Sequence, residues 1–159
     1  MTSPPAVRYR APGPEDAPAL AAMVEELNLH EGDPTGHFTE ATALADVIAP
    51  DAPLSCLIAE IDDAPVGYAL WHFGYESAWA QRGTYLCDLY VREAHRGRGV
   101  GDRLLRHVAK ATEVAGGTFI WWTAYRGNER ARAFYRDRAF EEDGIVAYAA
   151  AHEKFSDLL

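Results

Sequence analysis

The chain has 159 residues, of which 48% are apolar and 25% charged, a composition typical of one globular domain over residues 1–159 and not of a disordered chain. Its 24 Asp and Glu outnumber its 15 Lys and Arg, so the formal net charge of −9 argues against general nucleic-acid binding. The charge is compatible with a cationic substrate, and a merely acidic surface without that function is the alternative. Two cysteines are too few for a disulfide scaffold, and the uncharged runs are shorter than the roughly 20 residues that span a membrane. Residues 1–10 also lack an apolar signal segment, so a cytoplasmic protein is expected.

The N-terminal half alternates short apolar runs with helical patterns. Residues 7–10 predict a strand, and apolar residues at helical spacing predict a first helix that reaches about residue 28. A second, shorter helix is predicted over residues 39–49, where Pro50 ends it. Three strands rich in β-branched and aromatic side chains are then predicted over residues 54–61, 66–75 and 84–91.

The C-terminal half begins with a strongly amphipathic pattern from Val100. It predicts a helix over residues 100–115, which Gly116 and Gly117 end. A strand over residues 118–124, a helix over 128–138 and a last strand over 145–151 follow. Strands that alternate with helices indicate an α/β domain that contains parallel strand pairs.

The most informative segment lies between the strand at 84–91 and the helix at 100–115, and it reads Arg96-Gly97-Arg98-Gly99-Val100-Gly101. Glycines at alternate positions let the backbone approach a ligand, and the start of a helix adds amide donors and a partial positive charge. The two arginines add full charges, so the segment predicts a pyrophosphate site. It lacks the Gly-Lys-Ser/Thr of a Walker loop and the glycine spacing of a dinucleotide fingerprint, and a purely structural connection is the alternative.

Two motifs carry a resemblance to a known family. Arg96-x-x-Gly99-x-Gly101 resembles the R/Q-x-x-G-x-G/A signature of the GNAT superfamily of acetyl-CoA-dependent N-acyltransferases, and residues 128–135, NERARAFY, resemble its N-x-x-A-x-x-F-Y helix. Phe140 fits the phenylalanine that follows, although Ala139 replaces the usual glycine. The resemblance implies a single-domain fold with a mixed, mostly antiparallel central sheet, helices on both faces, and a splayed parallel strand pair that admits the cofactor.

Within the superfamily, three segments are similar to the diamine (spermidine/spermine) N-acetyltransferase subgroup. They are residues 26–31, 72–79 and 85–91, which read ELNLHE, HFGYESAW and YLCDLYV. Cys87 stands where the subgroup has a glutamate that contacts the amine, and His30 stands where it has a tyrosine. The similarity implies transfer of an acetyl group to a primary amine of a small cationic molecule, polyamine-like or amino-acid-like.

The resemblance also assigns binding residues. The acetyl-CoA contacts that carry over are Leu89, Tyr90, Val91, Arg96, Gly97, Arg98, Gly99, Val100, Gly101, Asp102, Asn128, Ala131 and Tyr135. The expected contacts of the amine substrate are His30, Glu31, Tyr75, Glu76, Cys87 and Trp122. Aromatic residues among them offer a cation–π wall for an ammonium group, and packing in a core or a dimer accounts for them equally well.

The implied chemistry needs a base and an acid. A primary amine has a pKa of about 10.4, so a base must take a proton before the nitrogen can attack. Asp88, Glu31 and Glu76 are the acids that the resemblance places nearby, and Asp88 is the predicted base. In a regular strand its side chain faces away from Cys87, so a structural carboxylate is the alternative. Tyr135 matches the family's general acid, with a core-packed tyrosine as the alternative.

Two other functions stay open at this point: a catalytically silent acyl-CoA-binding or regulatory module, and an acetyltransferase of protein N-termini or lysines. The histidines show no H-x-x-x-H spacing, so no metal site is predicted. Neither a nucleic acid nor a membrane is expected as a partner. Related proteins are commonly homodimers, and the strand at 66–75 and the tail after Ile145 are the predicted interface.

Overall fold

The computed structural model describes residues 6–159, and within them five strands form one sheet in the order β1-β2-β3-β4-β5. Residues 1–5 lie outside the described residues. They are the first half of residues 1–10, in which the sequence shows no apolar signal segment. The chain divides into two compact units, Met1–Thr123 and Ala124–Leu159, and the sheet belongs to the first.

The first unit contains all five strands and three of the helices. The strands are β1 (Arg8–Arg10), β2 (Ser55–Ile61), β3 (Ala64–Glu76), β4 (Gln81–Val91) and β5 (Phe119–Trp121). The helices are α1 (Ala17–Glu31), α2 (Glu40–Ala43), which continues as a π-helical segment (Leu44–Ile48), and α3 (Val100–Val114), and short 3-10 turns lie at Pro14–Asp16 and Glu93–His95. The predicted strands and helices of this unit are therefore confirmed, with ends that move by a few residues.

Neighbouring strands pair antiparallel from β1 to β4, and β4 pairs with β5 in parallel. The predicted α/β class with a mixed, mostly antiparallel sheet is therefore confirmed. The parallel pairing is short, because it joins Gly83–Tyr85 of β4 to β5 while β4 itself continues to Val91. The two parallel strands thus pair over three residues, which are the whole of β5 and lie near the start of β4.

The core of the first unit lies on both faces of the sheet. On one face, α1 buries Leu20 and Met23 against Ile58, Tyr68 and Leu70 of the strands. On the other face, α3 contacts β2 to β5, and Leu104 and Val108 on it are fully buried. The Oγ1 atoms of Thr84 and Thr112 lie 2.7 Å apart and join β4 to α3 through a buried hydrogen bond. The apolar periods read from the sequence therefore correspond to the buried helix faces.

The edge strand β1 is held by buried ion pairs. Arg10 donates to both carboxylate oxygens of Asp16, at 2.6 and 2.9 Å, and its Nε donates to Glu60 at 2.9 Å. Asp16 and Glu60 are 5% and 3% exposed, so each depends on its arginine partners for compensation of a buried charge. These bonds fix β1 against β2 and against the entry into α1.

The second unit consists of α4 (Glu129–Arg136), α5 (Glu153–Ser156) and irregular segments. The prediction of a strand over residues 145–151 is wrong, because this segment has no regular secondary structure. A strand needs a neighbour for its backbone hydrogen bonds, and the described residues of this unit form no other strand. Ile145, Val146 and Tyr148 consequently expose more than half of their side chains. In the described chain, no helix is both long and apolar enough to cross a bilayer.

Candidate active site

The site is built around an irregularity in β4. Leu70 of β3 pairs with Asp88 and the next residue, Trp71, pairs with Leu86, so Cys87 is an extra residue between two pairs. Such a β-bulge breaks the regular alternation of side chains. Beyond the bulge, Asp88 and Tyr90 face α1, whereas Thr84 before the bulge bonds to α3 on the opposite face. The alternation assumed in the sequence analysis therefore does not hold at Cys87.

Asp88 is held by a buried tyrosine. The Tyr68 hydroxyl, whose residue is fully buried, donates to Oδ2 of Asp88 at 2.9 Å. Burial raises the pKa of Asp88, the hydrogen bond from Tyr68 opposes that rise, and the negative charge of Asp33 adds to it. Burial and the Asp88 charge raise the pKa of Tyr68 well above 10, so the phenol keeps its proton and remains a donor. A carboxylate with a raised pKa accepts a proton more readily near neutral pH.

Cys87 lies exposed at the bulge, directly before Asp88. Partial burial of the thiol and the neighbouring Asp88 charge raise the pKa of Cys87 to about 11. The thiol is therefore neutral at physiological pH, and a neutral thiol is a poor nucleophile. This environment argues against a reaction through a covalent intermediate on Cys87.

The edge of β4 is open beyond its short pairing with β5. The Arg92 amide, which follows the strand, donates to the Val66 carbonyl on the β3 side at 2.9 Å. Because backbone groups alternate between the two edges of a strand, those of Leu89 and Val91 point to the opposite edge. In the described chain, β5 ends at Trp121, its pairing with β4 ends at Tyr85, and no other strand pairs with this edge of β4. An extended ligand with amide groups fits such an edge.

The glycine loop follows directly. Gly97 and Gly99 have φ values of 75° and 77°, a region that side-chain-bearing residues rarely adopt, and no atom lies within 4 Å of where either Cβ would stand. Gly99 is the N-cap of α3, and no side chain accepts a hydrogen bond from the amides at the start of this helix as a cap. Val100, Gly101 and Asp102 form the first turn of this helix. Amides in a first helical turn have no intrahelical acceptor and attract anions, so the loop has the open backbone and the donors that a phosphate group needs.

The two arginines of this loop differ in their surroundings. Arg96 is half-buried, and its Nε donates to the Val91 carbonyl at 2.7 Å. Arg98 is exposed between the two glycines. Both lie at the end of the open β4 edge, as the sequence analysis expects of phosphate-binding residues.

Four of the six predicted substrate residues fall into two groups, and Cys87 and Trp122 are described separately. His30 and Glu31 end α1, and Asp33, whose charge acts on Asp88, follows them closely. Tyr75 and Glu76 lie at the far end of β3, roughly 17–20 Å along the strand from the partner of Asp88 at about 3.4 Å per residue. The structure therefore does not bring this second group next to Asp88 within one chain.

Glu76 and Trp79, at and beyond the far end of β3, have contacts of their own. Glu76 accepts a hydrogen bond from the Ala78 amide at 3.0 Å, which shapes the turn into β4. Trp79 packs edge-on against Phe119, with ring centroids 5.4 Å apart. Trp122 follows β5 directly and is half-buried.

The described chain contains no group of three side chains that could hold a metal ion.

The remaining predicted cofactor residues lie in the second unit. The Asn128 side chain accepts a hydrogen bond from the Ala131 amide at 3.1 Å and so caps α4. Tyr135 lies one residue before the end of α4, and its ring packs edge-on against Phe134 at 5.2 Å. The N-x-x-A spacing of the motif therefore corresponds to a helix cap within this unit.

Sequence reasoning missed Tyr68, Asp33 and the Glu26–Arg92 ion pair. Glu26 binds Arg92 at 2.8 Å and the Tyr90 hydroxyl at 3.0 Å, and its pKa is lowered mainly by Arg92. Tyr68 lies in the strand predicted over residues 66–75. A tyrosine hydroxyl within an otherwise apolar strand indicates that a buried hydrogen-bond partner is needed, and this was the available signal. Nothing in the spacing of the sequence joins it to Asp88, because their contact depends on strand register.

Comparison with known proteins gives the family. The sequence model of the acetyltransferase (GNAT) family matches residues 21–140, a range that runs through both units. Thialysine N-epsilon-acetyltransferase of Bos taurus is 36% identical over 89 residues, 51% of this chain and 52% of that protein. Spermidine/spermine N(1)-acetyltransferase-like protein 1 of Homo sapiens is 31% identical over 103 residues, 60% of this chain and 15% of that protein.

A solved structure adds to the fold assignment. An integron cassette protein from V. cholerae superimposes with a TM-score of 0.79 at 20% identity, and the match covers 96% of each chain. At this identity the likeness concerns the fold alone. The chain spans about half the length of the bovine relative that it matches.

Proposed function

Because the chain belongs to the acetyltransferase (GNAT) family, we propose that it is an acetyl-CoA-dependent N-acetyltransferase that acts on a primary amine of a small cationic molecule. One observation carries the proposal: the open edge of β4 runs from the bulge at Cys87 to the glycine loop at the start of α3. This arrangement supports a ligand with amides at one end and phosphates at the other. We also propose that residues 1–159 work as one acetyltransferase domain.

The residues present fit the cofactor. The backbone groups of Leu89 and the amide of Val91, whose carbonyl is bound by Arg96, suit the amides of its pantetheine arm, and the loop at Gly97 and Gly99, with no atom near either Cβ position, suits its pyrophosphate. When bound, acetyl-CoA supplies the acetyl thioester, whose C–S bond is exchanged for a C–N bond to the amine. Asn128 and Ala131 are proposed as further contacts from the family motif.

The amine nitrogen enters as an ammonium group and loses two protons in this exchange. Asp88, whose pKa is raised by burial, accepts the first, before the nitrogen attacks, and later releases it to solvent. The phenol of Tyr135 donates a proton to the departing coenzyme A sulfur, a role proposed from its motif position, and regains one through solvent when the nitrogen loses its second proton. The products are an N-acetylated amine and coenzyme A with a free thiol.

The proposed substrate class follows from charge. Asp33 and Asp88 bring negative charge to the same region, and the chain as a whole carries −9. Near these two carboxylates an ammonium group is attracted and an anionic substrate is repelled, while the anionic part of the cofactor is proposed to bind at the arginine-bearing loop. The relatives named for thialysine and for spermidine/spermine support an amino-acid-like or polyamine-like amine.

The experiment incubates the purified chain with acetyl-CoA and a panel of diamines, polyamines and amino-acid amines, and measures the release of free thiol. Turnover with a cationic amine supports the proposal, and no turnover despite tight coenzyme A binding identifies a silent binding module instead. Tyr135→Phe should lose rate and keep its affinity for coenzyme A, whereas equal loss of both contradicts the acid role. Acetylation of peptides in preference to every small amine contradicts the proposed substrate class.

We also propose that the chain acts as a cytoplasmic homodimer. Phe73, Tyr75 and Trp79 expose 51–64% of their surfaces at one end of the sheet, and such an apolar group is typical of an interaction surface. Light scattering after size exclusion measures the assembly state. A monomer at concentrations well above those of the assay contradicts the proposal.

A further inference from the structure

We infer that the two arginines of the glycine loop have different tasks. Arg96 is a positioning residue that braces the loop against β4 and α1, and Arg98 carries the charge that faces the phosphates. The inference rests on the proposed function, because it assumes that this loop binds coenzyme A.

The Arg96 side chain turns back toward the strand from which the loop leaves. Its Nε donates to the Val91 carbonyl at 2.7 Å, and its guanidinium carbon lies 5.7 Å from the centroid of the Tyr90 ring. The first contact is a charge-assisted hydrogen bond and the second a cation–π contact. Together they tie the residue before Gly97 to the last two residues of β4. The point at which the loop leaves the strand is thereby fixed.

The support beneath Arg96 is itself anchored. Tyr90 is 8% exposed, and its hydroxyl donates to Glu26 Oε2 on α1 at 3.0 Å. Arg92 binds the same carboxylate through Nη2 at 2.8 Å and through Nε, and its Nη1 donates to the Pro65 carbonyl at 3.0 Å. Glu26 therefore holds two residues that flank Val91, so α1, β3 and β4 all contribute to the position of the loop.

Arg98 stands in contrast. It is exposed between two glycines with positive φ, and among the described residues no side chain pairs with it. Its guanidinium group is therefore available to an incoming anion at the mouth of the loop. A full positive charge at that place adds to the partial charge of the helix start.

These two roles respond differently to lysine. A phosphate-facing charge tolerates Arg98→Lys, because an ammonium group also attracts phosphate. Arg96→Lys should lose both contacts of Arg96. Lysine has no Nε–H to donate to the Val91 carbonyl and no planar guanidinium group to lie over the Tyr90 ring. The lysine variants therefore separate position from charge.

The experiment measures the dissociation constant of coenzyme A by calorimetry at low and high salt. We expect Arg98→Lys to bind within about twofold of the unsubstituted chain and Arg98→Gln to bind about tenfold more weakly, with reduced salt dependence. We expect Arg96→Lys and Arg96→Gln to weaken binding equally, by about tenfold, and Arg96→Lys to keep the full salt dependence. Lys110→Gln, a charge loss on α3 roughly 15 Å from its start, is the control.

Two variants of Tyr90 test the support. Tyr90→Phe keeps the ring under Arg96 and loses the bond to Glu26, whereas Tyr90→Leu loses both, so the affinity for coenzyme A should fall in that order. Thermal unfolding of each variant, without ligand, shows whether the fold is retained, and Arg96→Lys offers a test at a partly exposed position if Tyr90→Leu does not fold.

Three outcomes contradict the inference. If Arg96→Lys binds coenzyme A as tightly as the unsubstituted chain and Arg96→Gln binds it more weakly, then Arg96 contacts the phosphates through its charge. If Arg98→Gln binds coenzyme A with unchanged affinity, then the charge of Arg98 does not act on the phosphates. An unsubstituted chain that does not bind coenzyme A refutes the proposed function, and the inference falls with it.

Discussion

The Tyr68 hydroxyl donates to the Asp88 carboxylate at 2.9 Å, next to the one-residue bulge at Cys87. Without that bulge, regular alternation would leave Asp88 on the face of β4 that carries Leu86 and contacts α3. The extra residue turns Asp88 toward α1, where burial raises the pKa of its carboxyl, the Tyr68 hydrogen bond lowers it and the charge of Asp33 raises it. The local irregularity of the strand therefore determines the surroundings of Asp88, the proposed base.

Tyr68→Phe should shift the pH dependence of the reaction. The hydrogen bond from Tyr68 favours the charged form of Asp88, so its loss raises the pKa of that carboxyl further. The acid limb of kcat/KM should move to higher pH by about one unit, because a hydrogen bond to a charged group contributes about 1.5 kcal/mol. An unchanged acid limb in a folded variant contradicts the assignment of Asp88 as the base.

Asp88→Asn should remove the base and keep the cofactor site. We expect kcat to fall by about 10²–10⁴ with little change in coenzyme A affinity, because Asp88 faces α1 and the open β4 edge and glycine loop do not depend on its charge. The acid limb of the pH profile should disappear at the same time. Lys110→Gln, which removes an exposed charge at a distance, serves as the control. A fall in coenzyme A affinity equal to the fall in rate identifies Asp88 as a structural carboxylate instead.

Much of this organisation was predictable from the sequence. The amphipathic period of α3 and the apolar runs of β2 to β4 are visible because one face of each must be buried. The glycine loop is visible because alternate glycines directly before a helix favour an open backbone at that point. The strand at residues 145–151 was predicted wrongly, because an apolar run forms a strand only beside a partner and sequence does not supply one.

The bulge could not be predicted, because the extra residue exists only relative to the register of β3. The same reason hid the contacts of Asp88 with Tyr68 and of Tyr90 with Glu26, which join residues far apart in the chain. Charge and hydroxyl groups were visible in the sequence, but their pairing depends on tertiary packing. The division of tasks between Arg96 and Arg98 likewise depends on which way each side chain turns.

Arg10→Met should destabilise the first unit at neutral pH. The substitution leaves the buried Asp16 carboxylate without its cation, which costs about 3 kcal/mol in the free energy of unfolding. Urea titration followed by tryptophan fluorescence measures this loss. A loss below about 1 kcal/mol contradicts the view that Arg10 compensates a buried charge.

The same pair predicts a pH dependence of stability. The hydrogen bonds from Arg10 lower the pKa of Asp16 below its ordinary value of 3.8, so the carboxylate contributes stability above that pH. This contribution is lost as the pH falls through the lowered pKa. Urea titrations from pH 6 to pH 2 should therefore show a steeper loss of stability for the unsubstituted chain than for Asp16→Asn. Parallel curves would show that Asp16 does not carry the effect.

Gly99→Ala and Gly116→Ala form a matched pair that tests the glycine loop. Both glycines have φ values near +78°, at 77° and 79°, and neither has an atom within 4 Å of its Cβ position. Each alanine should therefore cost about 1 kcal/mol of stability through backbone strain alone, without a clash. Only Gly99 adjoins the first turn of α3, where a methyl group would occupy the space left for an anion. We expect coenzyme A affinity to fall at least tenfold in Gly99→Ala and to stay unchanged in Gly116→Ala, measured by calorimetry beside thermal unfolding. Equal affinities in two equally destabilised variants would mean that the bend at Gly99 does not approach the phosphates.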